Sequence, residues 1–168
     1  LRMIEFYHPA LDYYFMTSRA SDISLLDTIP AFQRTGQSFV VLPSQQLSSV
    51  GIRRYYFDRV ALGGTRGSHF YTAVTSEQQM LASLNPGNVQ APRLPVDEGI
   101  DSFAFPPLVE GVGGACQSGQ IPVYRLFRGN ARFPDNPNHR FTIDVGIYNA
   151  FRVAGWDGEG VKLCVPPS

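Results

Sequence analysis

Three stretches of this chain carry the same features in the same order. The first runs Ile4-Glu5-Phe6-Tyr7, then Tyr14-Phe15-Met16-Thr17, then Arg34-Thr35-Gly36-Gln37-Ser38-Phe39. The second runs Arg53-Arg54-Tyr55-Tyr56, then His69-Phe70-Tyr71-Thr72, then Asp97-Glu98-Gly99-Ile100. The third runs Tyr124-Arg125-Leu126-Phe127, then His139-Arg140-Phe141-Thr142, then Gly158-Glu159-Gly160-Val161. Recurrence of this kind limits the fold more than any propensity does, because each unit is too small to bury its own apolar face and must share a core with its neighbours. The expected architecture is one β-rich α+β domain over residues 1–168. Its three repeats fall at about 3–41, 52–105 and 123–164, each strand–strand–helix–strand, in a pseudo-threefold arrangement.

The helix in each repeat is short. In the first, Ser18 or Ser21 is placed to cap a helix carrying Ile23, Leu25 and Leu26. In the second, Thr75 precedes Gln78 at capping-box spacing, ahead of Met80, Leu81 and Leu84. In the third, Asp144 caps a helix with Ile147, Ala150 and Phe151, and Gly155 stops it. The connections are rich in Pro, Gly and Ser. Gly and Pro together number 29 of 168 residues, beside 21 aromatics, which favours short strands and turns over a helical bundle.

Composition removes several classes of function. Lys plus Arg equals Asp plus Glu at 14 each, so no chain-wide field grips nucleic acid or an anionic membrane surface. The longest apolar runs are a few residues, such as Phe39 to Leu42, far below the roughly 20 that a spanning helix needs. The expectation is no nucleic-acid partner and no membrane insertion. Among the basic residues 13 are Arg and one is Lys162, and Arg is the better partner for structural, bidentate carboxylate pairs. No signal peptide stands at the start. The chain opens at Leu1 rather than Met, which reads as a processed product or an excised fragment.

The chemistry-bearing motifs are sparse. His69 and His139 hold equivalent positions, but no HExxH, H-x-E or Cys-His cluster accompanies them, so no metal is expected and each His is read as bonding within its own repeat. There is no G-x-S-x-G turn, Walker loop or G-x-G-x-x-G. Gly111 to Gly114 lacks the Lys-Ser/Thr that phosphate binding requires. No catalytic residue and no cofactor are assigned. Cys116 and Cys164 stand outside any CxxC pattern, leaving a disulfide or two buried thiols.

Taken together, Phe6-Tyr7, Leu11-Asp12, Tyr14-Phe15-Met16-Thr17, Arg34-Thr35-Gly36, Ser68-His69-Phe70-Tyr71-Thr72, Glu98-Gly99, Glu159-Gly160 and Cys164-Val165-Pro166 resemble a repeat family known only as a domain of unknown function, DUF5648. The resemblance covers nearly the whole chain. It implies a module of secreted or cell-surface proteins and no catalytic chemistry. With the oxidising setting it implies, a Cys116–Cys164 disulfide is expected. The departures are Tyr14 where the other repeats have His, Arg140 where they have Phe, and no Glu before Gly36.

Two structural expectations follow from the repeats. Gly36, Gly99 and Gly160 occupy one equivalent turn or bulge entering the last strand, with positive φ or close backbone approach. A charge pair joins the first strand to that turn: Arg54 with Glu98, Arg125 with Glu159, and, in reversed polarity, Glu5 with Arg34. For function, exposed members of the set Tyr13, Tyr55, Tyr56, Tyr71 and Trp156 would stack on sugar rings, with Arg and Asp bonding hydroxyls. The leading expectation is a non-catalytic extracellular module binding a glycan or cell-surface polymer. The alternatives are a structural subunit of an assembly such as a filament, contacting other protein subunits, and a hydrolase.

Overall fold

A computed structural model describes residues 1–58, 67–91, 94–129, 132 and 136–168. The first unit contains β1 (Arg2–His8), β2 (Tyr13–Thr17), α1 (Ala20–Leu26) and β3 (Gln33–Val40). The second contains β4 (Val50–Phe57), β5 (Ser68–Thr72), α2 (Thr75–Leu84) and β6 (Pro95–Ala104). The third contains β7 (Ile121–Arg128), β8 (Asn138–Thr142), α3 (Val145–Val153) and β9 (Asp157–Val165). The order strand–strand–helix–strand therefore recurs as expected. Each unit is a three-stranded antiparallel sheet with its first strand in the middle: β2-β1-β3, β5-β4-β6 and β8-β7-β9. The protein is a β-rich α+β fold, with three small sheets and three α-helices among the described residues.

No sheet of three strands buries much by itself, and the core is accordingly common property. Met3, Phe6 and Phe39 of the first unit, Ile52, Tyr71 and Ala104 of the second, and Val123, Phe141 and Leu163 of the third pack in one cluster. Leu42 forms a bridge to Phe103, and Phe105 one to Cys164, so the residue just past each of the first two units ties onto the next unit's last strand.

The recurrent Thr explains the helix starts. Thr17, Thr72 and Thr142 are all buried. Their hydroxyls accept from the backbone N–H of Arg19 (3.1 Å), Val74 (2.9 Å) and Asp144 (3.0 Å), a turn that launches each helix from the end of its strand. This corrects two expected caps. The cap positions of α1 and α2 are Arg19 and Val74, with no side-chain cap, rather than Ser18 or Ser21 and Thr75. Gln78 does not close a capping box but donates to the carbonyls of Gly51 and Thr72. Asp144 caps α3 through Gly146 and Ile147, and Gly155 follows its end at φ +99°.

The three glycines match the expectation closely. Gly36, Gly99 and Gly160 have φ of +85°, +86° and +77°. Each lies where the last strand slips register against the central strand, opposite Glu5, Arg54 and Arg125 respectively. The left-handed conformation is what requires glycine here. Cys116 and Cys164 form the expected disulfide, with Cα atoms 5.8 Å apart.

Candidate functional site

The residues opposite the glycines form an ionic framework rather than a reactive centre. Arg54 donates to Glu98 at 2.7 Å and to Asp22 at 2.5 Å. Arg125 clamps Glu159 at 2.7 and 2.9 Å and Glu77 at 2.8 and 2.7 Å. Two of the expected pairs are present, and each gains an acid from the helix of the preceding unit. The third expected pair is not formed. Arg34 bonds Asp27 on the surface, while Glu5 is bonded by Arg140 at 2.8 Å through both oxygens and by the Thr35 hydroxyl at 2.7 Å. Glu5 is fully buried and Arg140 nearly so, and buried charges must be paired at close range. Arg34 lies too far out on an exposed stretch of strand to serve.

The reversal extends to every neighbouring position. Where Arg54 and Arg125 lie over Phe15 and Phe70 of the preceding unit, Glu5 meets Arg140, which stands at the Phe position. Where the other units present the helix acids Asp22 and Glu77, α3 presents Ile147. Where they have Glu before the glycine, the first unit has Thr35. Burial alone would raise the Glu77 carboxyl, but the hydrogen bonds and charge of Arg125 outweigh it and hold it at about 2.

The aromatics named as stacking platforms are mostly interior. Tyr13, Tyr55, Tyr71 and Trp156 are 7%, 2%, 4% and 6% exposed, so none presents an open ring face; their rings go to the core and to the contacts between units. The Tyr71 hydroxyl donates to the Met16 carbonyl. Trp156 lies under the Arg128 guanidinium. Tyr56 is half-buried and packs tilted against the His69 ring.

His69 bonds across units as well as within its own. Its Nδ1 is 2.7 Å from the Tyr13 hydroxyl and its Nε2 is 3.3 Å from Glu98. A phenol–imidazole–carboxylate chain has the outline of a nucleophilic relay. Yet burial raises the Tyr13 phenol well above its ordinary range, which makes it a poor source of phenolate. His139 is wedged between Phe70 and Phe127, 3.7 Å from Glu159. Burial, reinforced by Arg125, lowers its pKa to about 3. Among the described residues no group of three or more His, Cys, Asp or Glu is placed to hold a metal ion.

A groove of about 290 Å³ lies on the second unit, between α2 and the strands β4 and β6. Its walls are Arg53, Asp97, Thr75, Gln78, Gln79 and Ala82, and Tyr55 lies beneath. Strand alternation places Arg53 and Tyr55 on the groove side while Arg54 turns to the framework. Arg53 and Asp97 are paired, with side chains 37% and 26% exposed, so they keep bonding capacity toward solvent. Asp97 also accepts from Gly99 N–H at 2.8 Å, which fixes the carboxylate at the groove edge. Tyr55 is legible in the sequence as a candidate, and its companions in the groove are not. The available signal was the doublet: if Arg54 pairs with Glu98, the preceding Arg53 and Asp97 come together on the opposite face.

Comparison with known proteins bears on the third unit. Residues 108–166 match the family model described as Domain of unknown function (DUF5648). The resemblance drawn from the motifs is thereby shown over the third unit and the loop preceding it. No curated protein and no solved structure gives a match. Among the described residues, no helix is long and apolar enough to cross a membrane.

Proposed function

We propose that this protein is a non-catalytic extracellular binding module, built from three repeats in a pseudo-threefold arrangement, whose groove on the second unit takes a glycan or related polyhydroxylated polymer. The observation that carries the reading is the composition of the groove. A guanidinium, a carboxylate, two primary amides and a hydroxyl converge there. Sugar hydroxyls are recognised by that mixture of planar donors and acceptors. The framework pairs support it by contrast, since Arg54, Arg125 and Arg140 are buried and committed to carboxylates. An extracellular setting is supported by the disulfide, which persists in oxidising compartments.

The test is retention on insoluble polysaccharides together with a glycan array, repeated with Arg53→Ala and Gln79→Ala. Loss of a charged hydrogen bond worth about 1.5–3 kcal/mol predicts roughly tenfold to hundredfold weaker binding for Arg53→Ala. Failure to retain any polysaccharide, or equal binding by the variant, would defeat the reading. A second reading, a surface for assembly with other protein subunits, draws on Leu108, Val109 and Val112, which are 63%, 57% and 71% exposed on one loop. Concentration-dependent assembly that a Val112→Asp variant abolishes would favour it.

A further inference from the structure

The outer edge of β9 is covered by the chain itself, while among the described residues no backbone segment covers the matching edge of β6 at Ile100. Along β9 there are two bridges. Phe105 and Cys164 exchange hydrogen bonds at 2.8 Å, and Gly111 and Val161 exchange them at 2.9 Å. Residues 106–115 thus form a strap doubled back along the strand. A Cβ on Gly160 would run into the Gly111 backbone, and a Cβ on Gly114 would stand 3.0 Å from Val161. Under this strap Val161 is only 1% exposed.

On β6 the first bridge is present, between Leu42 and Phe103 at 2.9 and 3.0 Å. The second is absent among the described residues. Ile100 holds the register of Val161, since Arg53 faces Ile100 as Tyr124 faces Val161. The shared register turns the Ile100 N–H and C=O outward as it does those of Val161. Where Gly160 meets the strap, Gly99 has nothing within 4 Å of its Cβ position. Ile100 is 44% exposed. Loop length accounts for the difference: the linker between β3 and β4 is too short to double back, whereas that between β6 and β7 does so. Among the described residues, side chains rather than a second strand meet this edge: the Arg19 guanidinium donates to the Glu98 carbonyl at 2.7 Å and, at a long 3.4 Å, to that of Ile100, the Ser18 hydroxyl donates to the Asp101 carbonyl, and Asn88 pairs with the Asp97 backbone.

We propose that the β6 edge at Gly99–Ile100 accepts an extended segment of a partner protein carrying an acidic residue followed by glycine. The strap is its internal template. Backbone meets backbone at the bulge, so the partner residue there is glycine, as Gly111 is at φ +94°. The preceding Glu110 bonds Lys162 at 2.5 Å in the strap. On β6 the register position of Lys162 is held by Asp101, which is paired with Arg19 at 3.6 Å, and the 26% exposed Arg19 is the cation at this edge. Two main-chain hydrogen bonds through Ile100, the one to its carbonyl replacing the long Arg19 contact, supply the attachment and cover its side chain, which is strand addition to a sheet edge.

The experiment uses the intact protein and the synthetic peptide Leu-Val-Glu-Gly-Val-Gly-Gly-Ala, the strap's own sequence. Amide exchange is followed by NMR during titration. With free peptide at ten times its Kd, about one protein in eleven is empty at any moment, so Ile100 amide exchange slows roughly tenfold. Peptides with Lys for the Glu, or Val for the first Gly, bind at least severalfold more weakly. No saturable binding by millimolar peptide overturns the proposal, as does binding that leaves the Ile100 amide unprotected or that ignores both peptide changes. Gln79→Ala, which tests the glycan groove from α2, leaves peptide binding unchanged, so the two readings fail separately.

Discussion

Replacing Arg140 by Ala strands the Glu5 carboxylate. Glu5 is fully buried, and among the described residues its remaining partner is the Thr35 hydroxyl at 2.7 Å. Removing one member of a buried pair costs about 3–5 kcal/mol, because the other charge stays desolvated. The lost guanidinium also leaves a gap between the rings of Tyr14 and Phe151, whose centroids it approaches at 4.2 and 4.3 Å. A loss of about 4 kcal/mol is a large part of the roughly 5–15 kcal/mol of a typical domain. At an m-value near 2 kcal/mol/M, the urea midpoint falls by about 2 M. Circular dichroism in urea reads this directly. Glu5→Gln combined with Arg140→Met removes both charges at similar volume and is expected within about 1 kcal/mol of the parent. The sharper test rebuilds the seam in the pattern of the other two, with Glu5→Arg, Thr35→Glu, Arg140→Phe and Ile147→Glu together. This variant is expected to be more stable than Arg140→Ala. A midpoint shift below about 0.5 M for Arg140→Ala, at that m-value, would show that the pair is solvated, and the argument from burial would fail.

Reducing the disulfide, which closes a loop of 48 residues, is expected to cost about 4 kcal/mol on the unfolded-chain model, read as the stability difference between the parent and a Cys116→Ser, Cys164→Ser variant; free-thiol titration of the denatured, unreduced protein should find none. Gly36→Ala and Gly99→Ala force a left-handed conformation on a side chain in open space and should each lose about 1–2 kcal/mol. Gly160→Ala must also displace Gly111 and should lose more than either, so equal losses at all three sites would contradict the strap's placement. His139 is neutral in the fold, with its pKa lowered from 6.5 to about 3. The unfolded chain therefore binds the extra proton in that window, and stability falls as pH drops from 6.5 toward 3, by at most about 1.4 kcal/mol per pH unit. His139→Phe should flatten this part of the stability–pH curve, and an unchanged slope would remove His139 as its source. Glu77 acts over a lower window: its stabilisation is full above about pH 4.5 and is lost as pH falls through about 2.

The fold was legible because its signals are local and occur three times. The alternation in Tyr14-Phe15-Met16-Thr17, His69-Phe70-Tyr71-Thr72 and His139-Arg140-Phe141-Thr142 marks one strand three times over, and Gly36, Gly99 and Gly160 mark one bulge. The Arg54–Glu98 and Arg125–Glu159 pairs were legible for the same reason, since both partners lie within one unit. Glu5–Arg140 was not, because its partners are 135 residues apart and meet only where units dock. The two oddities that define it, an acid at an Arg position and Arg140 at a Phe position, were both visible, but nothing in the order of residues said that they faced each other. The groove was half legible. Tyr55 was named for its ring, which is buried, while the polar groups that give the groove its chemistry sit on a helix face and the neighbouring strand. Exposure of a given aromatic depends on how units pack, and strand alternation alone does not report it.

The reversed seam also bears on how three units of one pattern settle into a single order. At the first two seams a buried Arg of the later unit enters a site made by a Phe ring and a helix acid of the earlier one: Arg54 against Phe15 and Asp22, Arg125 against Phe70 and Glu77. Those two seams are chemically alike and do not distinguish one neighbour from the other. The third unit offers Arg140 and Ile147 at the same positions. Docking Arg54 or Arg125 against it would bury two guanidinium groups together with the helix acid missing, a like-charge burial far costlier than any single hydrogen bond gained. Docking Glu5 against the first or second unit would face it with a Phe ring and a carboxylate. Only Glu5 against Arg140 satisfies both, so the inverted pair excludes the wrong neighbours as well as joining the right ones. On this argument the rebuilt seam with all four substitutions recovers stability but loses that discrimination. Its refolding should then show slower, multiphasic recovery or intermolecular exchange of units, where the parent refolds to one species.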